Sequence, residues 1–173
     1  DAAKSLAAAL AMNGTAPLNE VLRGGKTQDW AGALPVIAIP TTAGTGSEVT
    51  PFATVWDSAA ARKHSVTGPQ IFPAVALLDP ELTLSLPPDQ TLFTGLDAIS
   101  HALESLWNRN RSPISAANAI QALALAAEAR PAMRAPPDDL EMRGRMQYAS
   151  TLAGYQMMLV PTTAPQETHN GSI

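Results

Sequence analysis

Two residues that can ligate a metal stand four positions apart in the segment Thr94-Gly-Leu-Asp-Ala-Ile-Ser-His-Ala-Leu-Glu104. On a helix, Asp97 and His101 would lie on one face, within reach of a common ion. A carboxylate and an imidazole suit Fe(II), Zn(II) or Mn(II), and such a site can polarise a carbonyl or alcohol oxygen. A plain ion pair between the two side chains explains the same spacing, so the pair alone leaves both interpretations open.

Hydroxyl side chains and glycines are concentrated in the loop Pro40-Thr-Thr-Ala-Gly-Thr-Gly-Ser-Glu-Val-Thr50. Glycine lets backbone N–H groups turn toward an anion, and Thr and Ser hydroxyls donate to phosphate oxygens. The loop follows a predicted strand, and open α/β sheets bind ligands at the carboxyl ends of their strands. It is neither a P-loop nor a GxGxxG fingerprint. A hydroxyl-rich turn with a helix cap is therefore the alternative to a phosphate site.

The elements that must position these residues begin with two short apolar runs next to prolines. Residues 35–40 and 75–78 predict neighbouring parallel strands of one sheet, with the hydroxyl-rich loop at its ligand-facing edge. Residues 53–56 and 64–66 predict an antiparallel hairpin between them. A first helix is predicted to end near Met12, followed by a polar connector.

Helical patterns replace strand patterns after residue 87. Three helices are predicted at about 89–108, 113–130 and 138–158, the third with a continuation past Gly154. The predicted fold is therefore an α/β part, residues 1–86, followed by an all-α helical part, residues 87–173. We expect Asp97 and His101 to face a cleft between these parts.

Composition excludes several classes of function. The net charge is −4 and the 11 basic residues are scattered, so nucleic acid is not an expected partner. With no cysteine, any metal must be held by His, Asp or Glu. No apolar run approaches the roughly 20 residues of a membrane span, so a cytoplasmic protein is expected. The chain begins in mid-helix pattern, which favours an internal piece of a longer protein.

Together, the loop and the helix resemble the iron-containing (group III) alcohol dehydrogenase family. Its members carry P-T-T-x-x-T-G-S-E-V-T and later G-x-D-A-x-x-H-A-x-E, and residues 35–108 match almost continuously. Asp1-Ala-Ala-Lys4 resembles the end of the family's G-G-G-S-x-x-D-x-A-K element. Residues 51–56 and 105–108 are similar to members that reduce phosphonoacetaldehyde. The resemblance implies a dehydroquinate synthase-like fold, with an α/β dinucleotide domain and an all-helical metal domain.

The resemblance also implies the site residues. Those expected to contact NAD or NADP are Thr41, Thr42, Thr45, Thr50, Phe52, Lys63 and Leu82. Asp97 and His101 would be two of four protein ligands to Fe(II), with Zn(II) as an alternative. Gln166 falls about where a third ligand is expected; His169 is either a substitute for it or an exposed tail residue. His64 is expected to be a surface residue of the hairpin.

The activity implied is hydride transfer between NAD(P) and a small alcohol or aldehyde, and a homo-oligomer is compatible with the sequence. Two alternatives remain: a truncated, non-catalytic remnant with weak nucleotide or metal binding, and a helical interaction module built on the Ala-rich helices. Neither the substrate nor the choice between NAD and NADP can be derived from these residues.

Overall fold

A computed structural model describes residues 1–11, 18–24, 32–129 and 139–160. Contacts divide the chain into two compact units. The α/β unit consists of Asp1–Ala38 and Ser47–Leu77, and the helical unit consists of Ile39–Gly46 and the chain from Leu78 onward. The expected order of an α/β part and a helical part is confirmed. The domain boundary near residue 87 stays a prediction.

A parallel strand pair forms where the proline-flanked runs predicted it. Strand β1 (Ile37–Ala38) pairs with β4 (Val75–Ala76), with Ile37 opposite Val75 and Ala38 opposite Ala76. The N–H of Leu77 extends the ladder by donating to the carbonyl of Ala38 at 2.9 Å. The prediction of neighbouring parallel strands is therefore confirmed, although the strands are shorter than the predicted ranges 35–40 and 75–78.

The predicted hairpin is also confirmed. Strands β2 (Phe52–Asp57) and β3 (Arg62–Thr67) pair antiparallel from Phe52 opposite Thr67 to Asp57 opposite Arg62. Helix α1 spans Ala2–Ala11. Helix α2, Leu18–Arg23, lies where only a polar connector was predicted. The unit is centred on a small apolar core of Ala8, Leu22, Ala53, Val66 and Ile71.

Three long helices build the second unit: α3 (Pro88–Trp107), α4 (Pro113–Glu128) and α5 (Leu140–Leu159). Helix α4 begins with a reciprocal cap, in which the Ser112 hydroxyl accepts from the Ser115 N–H at 3.0 Å and the Ser115 hydroxyl accepts from the Ser112 N–H at 2.9 Å. In α5, the Asp139 carboxylate accepts from the Met142 N–H at 3.1 Å. Such caps satisfy N–H groups that the first helical turn leaves unpaired.

The core of the helical unit is built largely from alanine. The buried alanines lie on all three helices, and α4 packs against both α3 and α5. Because small side chains let helix axes approach closely, the Ala-rich helix α4 packs tightly against its neighbours. None of the described helices is both long and apolar enough to cross a membrane. The buried helix alanines of this core are Ala98, Ala102, Ala119, Ala122, Ala126, Ala149 and Ala153.

Candidate active site

The pair Asp97 and His101 lies on one face of α3, one helical turn apart. Asp97 Oδ1 is 3.5 Å from His101 Nε2, and the two side chains are 21% and 9% exposed. The neighbouring Ala98 and Ala102 are buried in the helical core, which fixes the direction of this face. The pair is therefore held on a packed helix and keeps limited access to solvent.

The separation of the two donor atoms fits a shared divalent ion. Bonds of about 2.1 Å to a carboxylate oxygen and an imidazole nitrogen, at about the tetrahedral angle, place these atoms about 3.4 Å apart. The observed 3.5 Å is close to this value and also fits a simple ion pair. Among the residues that the structure describes, no third His, Cys, Asp or Glu completes a larger cluster. Within these residues the pair therefore offers at most two protein ligands to a metal.

The first part of the hydroxyl-rich loop, residues 39–46, packs directly onto helix backbones of the same unit. Gly46 has φ +59°, and a Cβ placed on it would lie 2.5 Å from Gly154 Cα in α5. A Cβ on Gly44 would lie 2.7 Å from the carbonyl oxygen of Thr94 in α3. Neither position has room for a larger residue. Because Thr94 precedes Asp97 by three residues, the loop lies beside the metal-ligand candidates on α3.

Buried Gln147 of α5 holds the start of this loop. Its Nε2 donates to the carbonyl oxygens of Pro40 at 3.1 Å and Asp79 at 3.4 Å. Beyond Pro40, Thr41 and Thr45 are exposed and Thr42 is half-buried. The start of the loop backbone is thus fixed, while two of its threonines lie at the surface.

The second part of the loop, residues 47–50, belongs to the α/β unit and is hydrogen-bonded to Lys4 of α1. Lys4 is 2% exposed, and its Nζ donates to the carbonyl oxygens of Ser47 at 2.5 Å, Thr50 at 2.6 Å and Phe52 at 2.8 Å. Burial lowers the pKa of Lys4 to about 8, and the nearby carboxylate of Glu48 acts in the opposite direction. Thr50 is itself only 4% exposed, which sets it apart from Thr41 and Thr45.

Two family models match successive parts of the chain. The family model described as iron-containing alcohol dehydrogenase matches residues 1–80. The model described as Fe-containing alcohol dehydrogenase family, C-terminal, matches residues 91–165. The chain belongs to the iron-containing alcohol dehydrogenase family.

Curated relatives in this family include two that overlap much of the chain. The NAD-dependent methanol dehydrogenase of Bacillus methanolicus is 43% identical over 138 residues, which cover 76% of this chain and 36% of the relative. The phosphonoacetaldehyde reductase of Streptomyces viridochromogenes is 40% identical over 169 residues, which cover 95% of this chain and 42% of the relative. The chain therefore spans well under half the length of these iron-containing alcohol dehydrogenases.

Solved structures agree with the predicted fold. Sulfoacetaldehyde reductase from Bifidobacterium kashiwanohense, in complex with NAD+, matches with a TM-score of 0.80 and 35% identity, covering 92% of this chain and 43% of that chain. An iron-containing alcohol dehydrogenase from Thermotoga maritima matches with a TM-score of 0.74 and 36% identity, over the same shares of the two chains. The iron-containing alcohol dehydrogenase fold predicted from the motifs is therefore confirmed.

The remaining residues implied by the iron-containing alcohol dehydrogenase family lie at separate places. Phe52 is half-buried at the start of β2. Lys63 is exposed on β3, with its Nζ 5.6 Å from the ring centroid of Trp56. Leu82 is 43% exposed in the 3-10 turn Pro80–Thr83. Their cofactor contacts, and those of the four threonines, stay predictions.

The chain contains two histidines besides His101. His64, expected on the hairpin surface, is half-buried on β3, with its Nε2 3.9 Å from Asp57 Oδ2. It points toward Asp57 because the opposite strand places the two residues at the same end of the hairpin. His169 and Gln166 lie outside the described residues.

Sequence reasoning had assigned no role to Lys4 or Gln147. A signal for Lys4 was available, because it stands three and four residues before Ala7 and Ala8 and so shares their buried helix face. A lysine on an apolar face requires acceptors for its N–H groups. For Gln147 no comparable signal exists, since its partners Pro40 and Asp79 are distant in sequence.

Proposed function

We propose that this protein transfers hydride between NAD(P) and a small alcohol or aldehyde at a divalent-metal site. The observation that carries the proposal is the contact of Gly44 with Thr94 on α3, three residues before Asp97. It joins a hydroxyl-rich loop suited to phosphate and an Asp/His pair suited to a metal within one unit. Family membership supports the same activity.

The loop's contribution is cofactor binding. Thr41, Thr42 and Thr45 present uncharged donors for phosphate or ribose oxygens, on a backbone held by Gln147 and the two glycine contacts. Thr50 is buried against Lys4, so it contributes the shape of the loop rather than a hydroxyl contact. Further contacts with the cofactor are proposed for Phe52, Lys63 and Leu82.

Asp97 and His101 are proposed to hold the metal. Fe(II) is the ion of the family name, and Zn(II) accepts the same carboxylate and imidazole donors. A bound ion would supply Lewis acidity toward the substrate oxygen, and bound NAD(P) would supply or accept the hydride. The chain's own residues orient these groups: the packed face of α3 fixes both ligands, and the near-complete burial of His101 keeps water away from its imidazole.

The finer choices of cofactor and substrate follow the relatives. NAD is favoured over NADP because one curated relative is NAD-dependent and one solved structure contains NAD+. The curated relative whose match covers 95% of this chain is a phosphonoacetaldehyde reductase. The solved structure whose match covers 92% of this chain is that of a sulfoacetaldehyde reductase. We therefore propose short aldehydes that carry a phosphonate or sulfonate as the first substrate class.

The test is NADH and NADPH oxidation under anaerobic conditions, with excess Fe(II) and with phosphonoacetaldehyde, sulfoacetaldehyde and acetaldehyde in parallel. Turnover should fall at least ~100-fold in Asp97→Asn and in His101→Ala, because each variant removes a metal ligand. The matched control on the same helix is Glu104→Gln, which is expected to retain activity. Absence of both turnover and nucleotide binding would instead support a non-catalytic protein.

A further inference from the structure

We propose that Lys4 is a positioning residue for the cofactor loop, acting through residues 47–52. The inference rests on the proposed function, since it assumes that this loop serves NAD(P). The three N–H groups of the Lys4 ammonium match three backbone carbonyls, those of Ser47, Thr50 and Phe52. One side chain of α1 therefore fixes three points of a six-residue segment.

Asp1, which directly precedes α1, forms two further hydrogen bonds with the same region of the chain. Its Oδ1 accepts from the Ser47 hydroxyl at 2.7 Å, and its Oδ2 accepts from the Thr54 N–H at 3.2 Å. Lys4 and Asp1 thus hold both ends of the stretch 47–54. Because Ser47 directly follows Gly46 in the chain, the stretch that Lys4 and Asp1 hold is covalently continuous with the threonine-bearing part of the loop.

Packing alone does not explain a lysine at this position. Lys4 is 2% exposed, and the nearby carboxylate of Glu48 offsets only part of the cost of burying its charge, since burial is the larger influence on the pKa of Lys4. Burying an ammonium group is costly, and an apolar side chain of similar length would fill the space at lower cost. What the apolar side chain lacks is the ability to bind three carbonyls at once. Directing the backbone of residues 47–52 is therefore the function that the geometry assigns to Lys4.

The consequence for the cofactor concerns the order of the loop before binding. A loop that is already in its bound shape loses less conformational entropy when a ligand binds. Loss of the Lys4 contacts should therefore weaken NADH binding without changing the metal pair, which belongs to the helical unit. This split separates a positioning role from general destabilisation.

The test compares the wild-type protein with Lys4→Met, which keeps the length of the side chain but removes the donors. The control is Ser5→Ala, which removes a buried hydroxyl that has no hydrogen-bond partner among the described residues. Hydrogen exchange is followed by mass spectrometry in residues 47–54 and in α5, and NADH and Zn(II) affinities are measured by titration. Lys4→Gln, with a shorter side chain that keeps two N–H groups, provides a milder variant should Lys4→Met fail to fold.

We expect at least ~10-fold faster exchange in residues 47–54 of Lys4→Met, unchanged exchange in α5, and NADH affinity at least ~10-fold weaker with unchanged Zn(II) affinity. Ser5→Ala should resemble the wild type. Unchanged exchange in 47–54, an equal loss of protection in α5, or a loosened loop with unaltered NADH affinity would each overturn the role of Lys4. If the wild type itself does not bind NADH, that result overturns the proposed function instead. The exchange data then test only whether Lys4 holds residues 47–54 in place.

Discussion

The backbones of Gly46 and Gly154 lie in direct contact. A Cβ on Gly46 would be 2.5 Å from Gly154 Cα, and a Cβ on Gly154 would be 2.6 Å from Gly46 Cα. The hydroxyl-rich loop and α5 can therefore approach this closely only if both residues remain glycine.

Gly154→Ala should consequently lower stability and disturb the loop. Overpacking in a rigid contact costs about 1–3 kcal/mol, because the atoms met by the new methyl group are backbone rather than flexible side chain. Thermal and urea unfolding measure this loss. The matched control is Gly144→Ala in the same helix, where the nearest atoms are 3.8 Å away. There, alanine should be neutral or stabilising by up to about 1 kcal/mol, and equal losses in both variants would contradict the contact.

Metal affinity should depend on both members of the α3 pair. Asp97→Asn and His101→Ala are each expected to weaken Fe(II) or Zn(II) binding at least ~10-fold, since two ligands from one helix leave little coordination to spare. Isothermal titration calorimetry measures the affinities, with Glu104→Gln as the control. If the Asp97 and His101 variants bind as tightly as the wild type, the pair is a structural ion pair.

The variant His169→Ala tests whether the C-terminal residues supply a metal ligand. His169 stands in a stretch rich in Pro, Thr, Asn and Gly, where an exposed side chain is the expectation. We therefore expect unchanged metal affinity in this variant. Tight, stoichiometric binding that disappears in His169→Ala would show the opposite and would add a third ligand to Asp97 and His101.

The ion pair between Arg23 and Asp57 predicts a pH-dependent contribution to stability. Arg23 Nε is 2.5 Å from Asp57 Oδ2, and this guanidinium, together with the Ala60 N–H, holds the pKa of Asp57 well below its usual range. A carboxyl whose folded pKa is lowered stabilises the fold above its unfolded pKa of about 4, and this contribution is lost as the pH falls toward the folded pKa. Asp57→Asn should therefore lower the melting temperature at pH 7 and have a smaller effect at pH 3. Arg23→Met should show the same trend, and a pH-independent difference would count against the pair.

The reciprocal cap of α4 provides a prediction independent of the site. Ser112→Ala removes the acceptor for the Ser115 N–H and should cost about 1 kcal/mol of the free energy of unfolding. Ser112→Asp keeps an acceptor and places a negative charge at the helix N-terminus, so it should retain most of the stability. Urea unfolding of the two variants separates the cap from a simple loss of the serine.

Local sequence signals predicted the long helices to within two residues at each end. Pro88, Ser112 and Asp139 mark starts that depend only on neighbouring residues, which is why they could be identified without tertiary information. Helix α2 was missed because six residues beside the Gly24-Gly25 pair show too few turns for a periodic pattern. Its helical form depends on the packing of Leu22 into the core of the α/β unit.

The site was predictable in residue type but not in orientation. Motif spacing was sufficient to place Asp97 and His101 on one helix face, whereas the cofactor role that the hydroxyl density indicates for the loop stays a prediction. The burial of Thr50 could not be foreseen, because it depends on Lys4, 46 positions away in sequence. In the same way, the requirement for glycine at position 46 comes from Gly154, a neighbour that only the folded chain provides.

The alanine core of the helical unit also limits how this protein can evolve. Where helices are separated by methyl groups, a substitution to a larger residue must displace a backbone unless one of the few neighbouring long side chains, such as Met146, changes rotamer to absorb the added volume. Ala98 and Ala102 lie beside Asp97 and His101, so a displacement at either would be transmitted to the donor atoms. If Asp97 and His101 hold the metal as proposed, mutational drift in this core is restricted by that pair, whereas the exposed faces of the same helices remain free to vary.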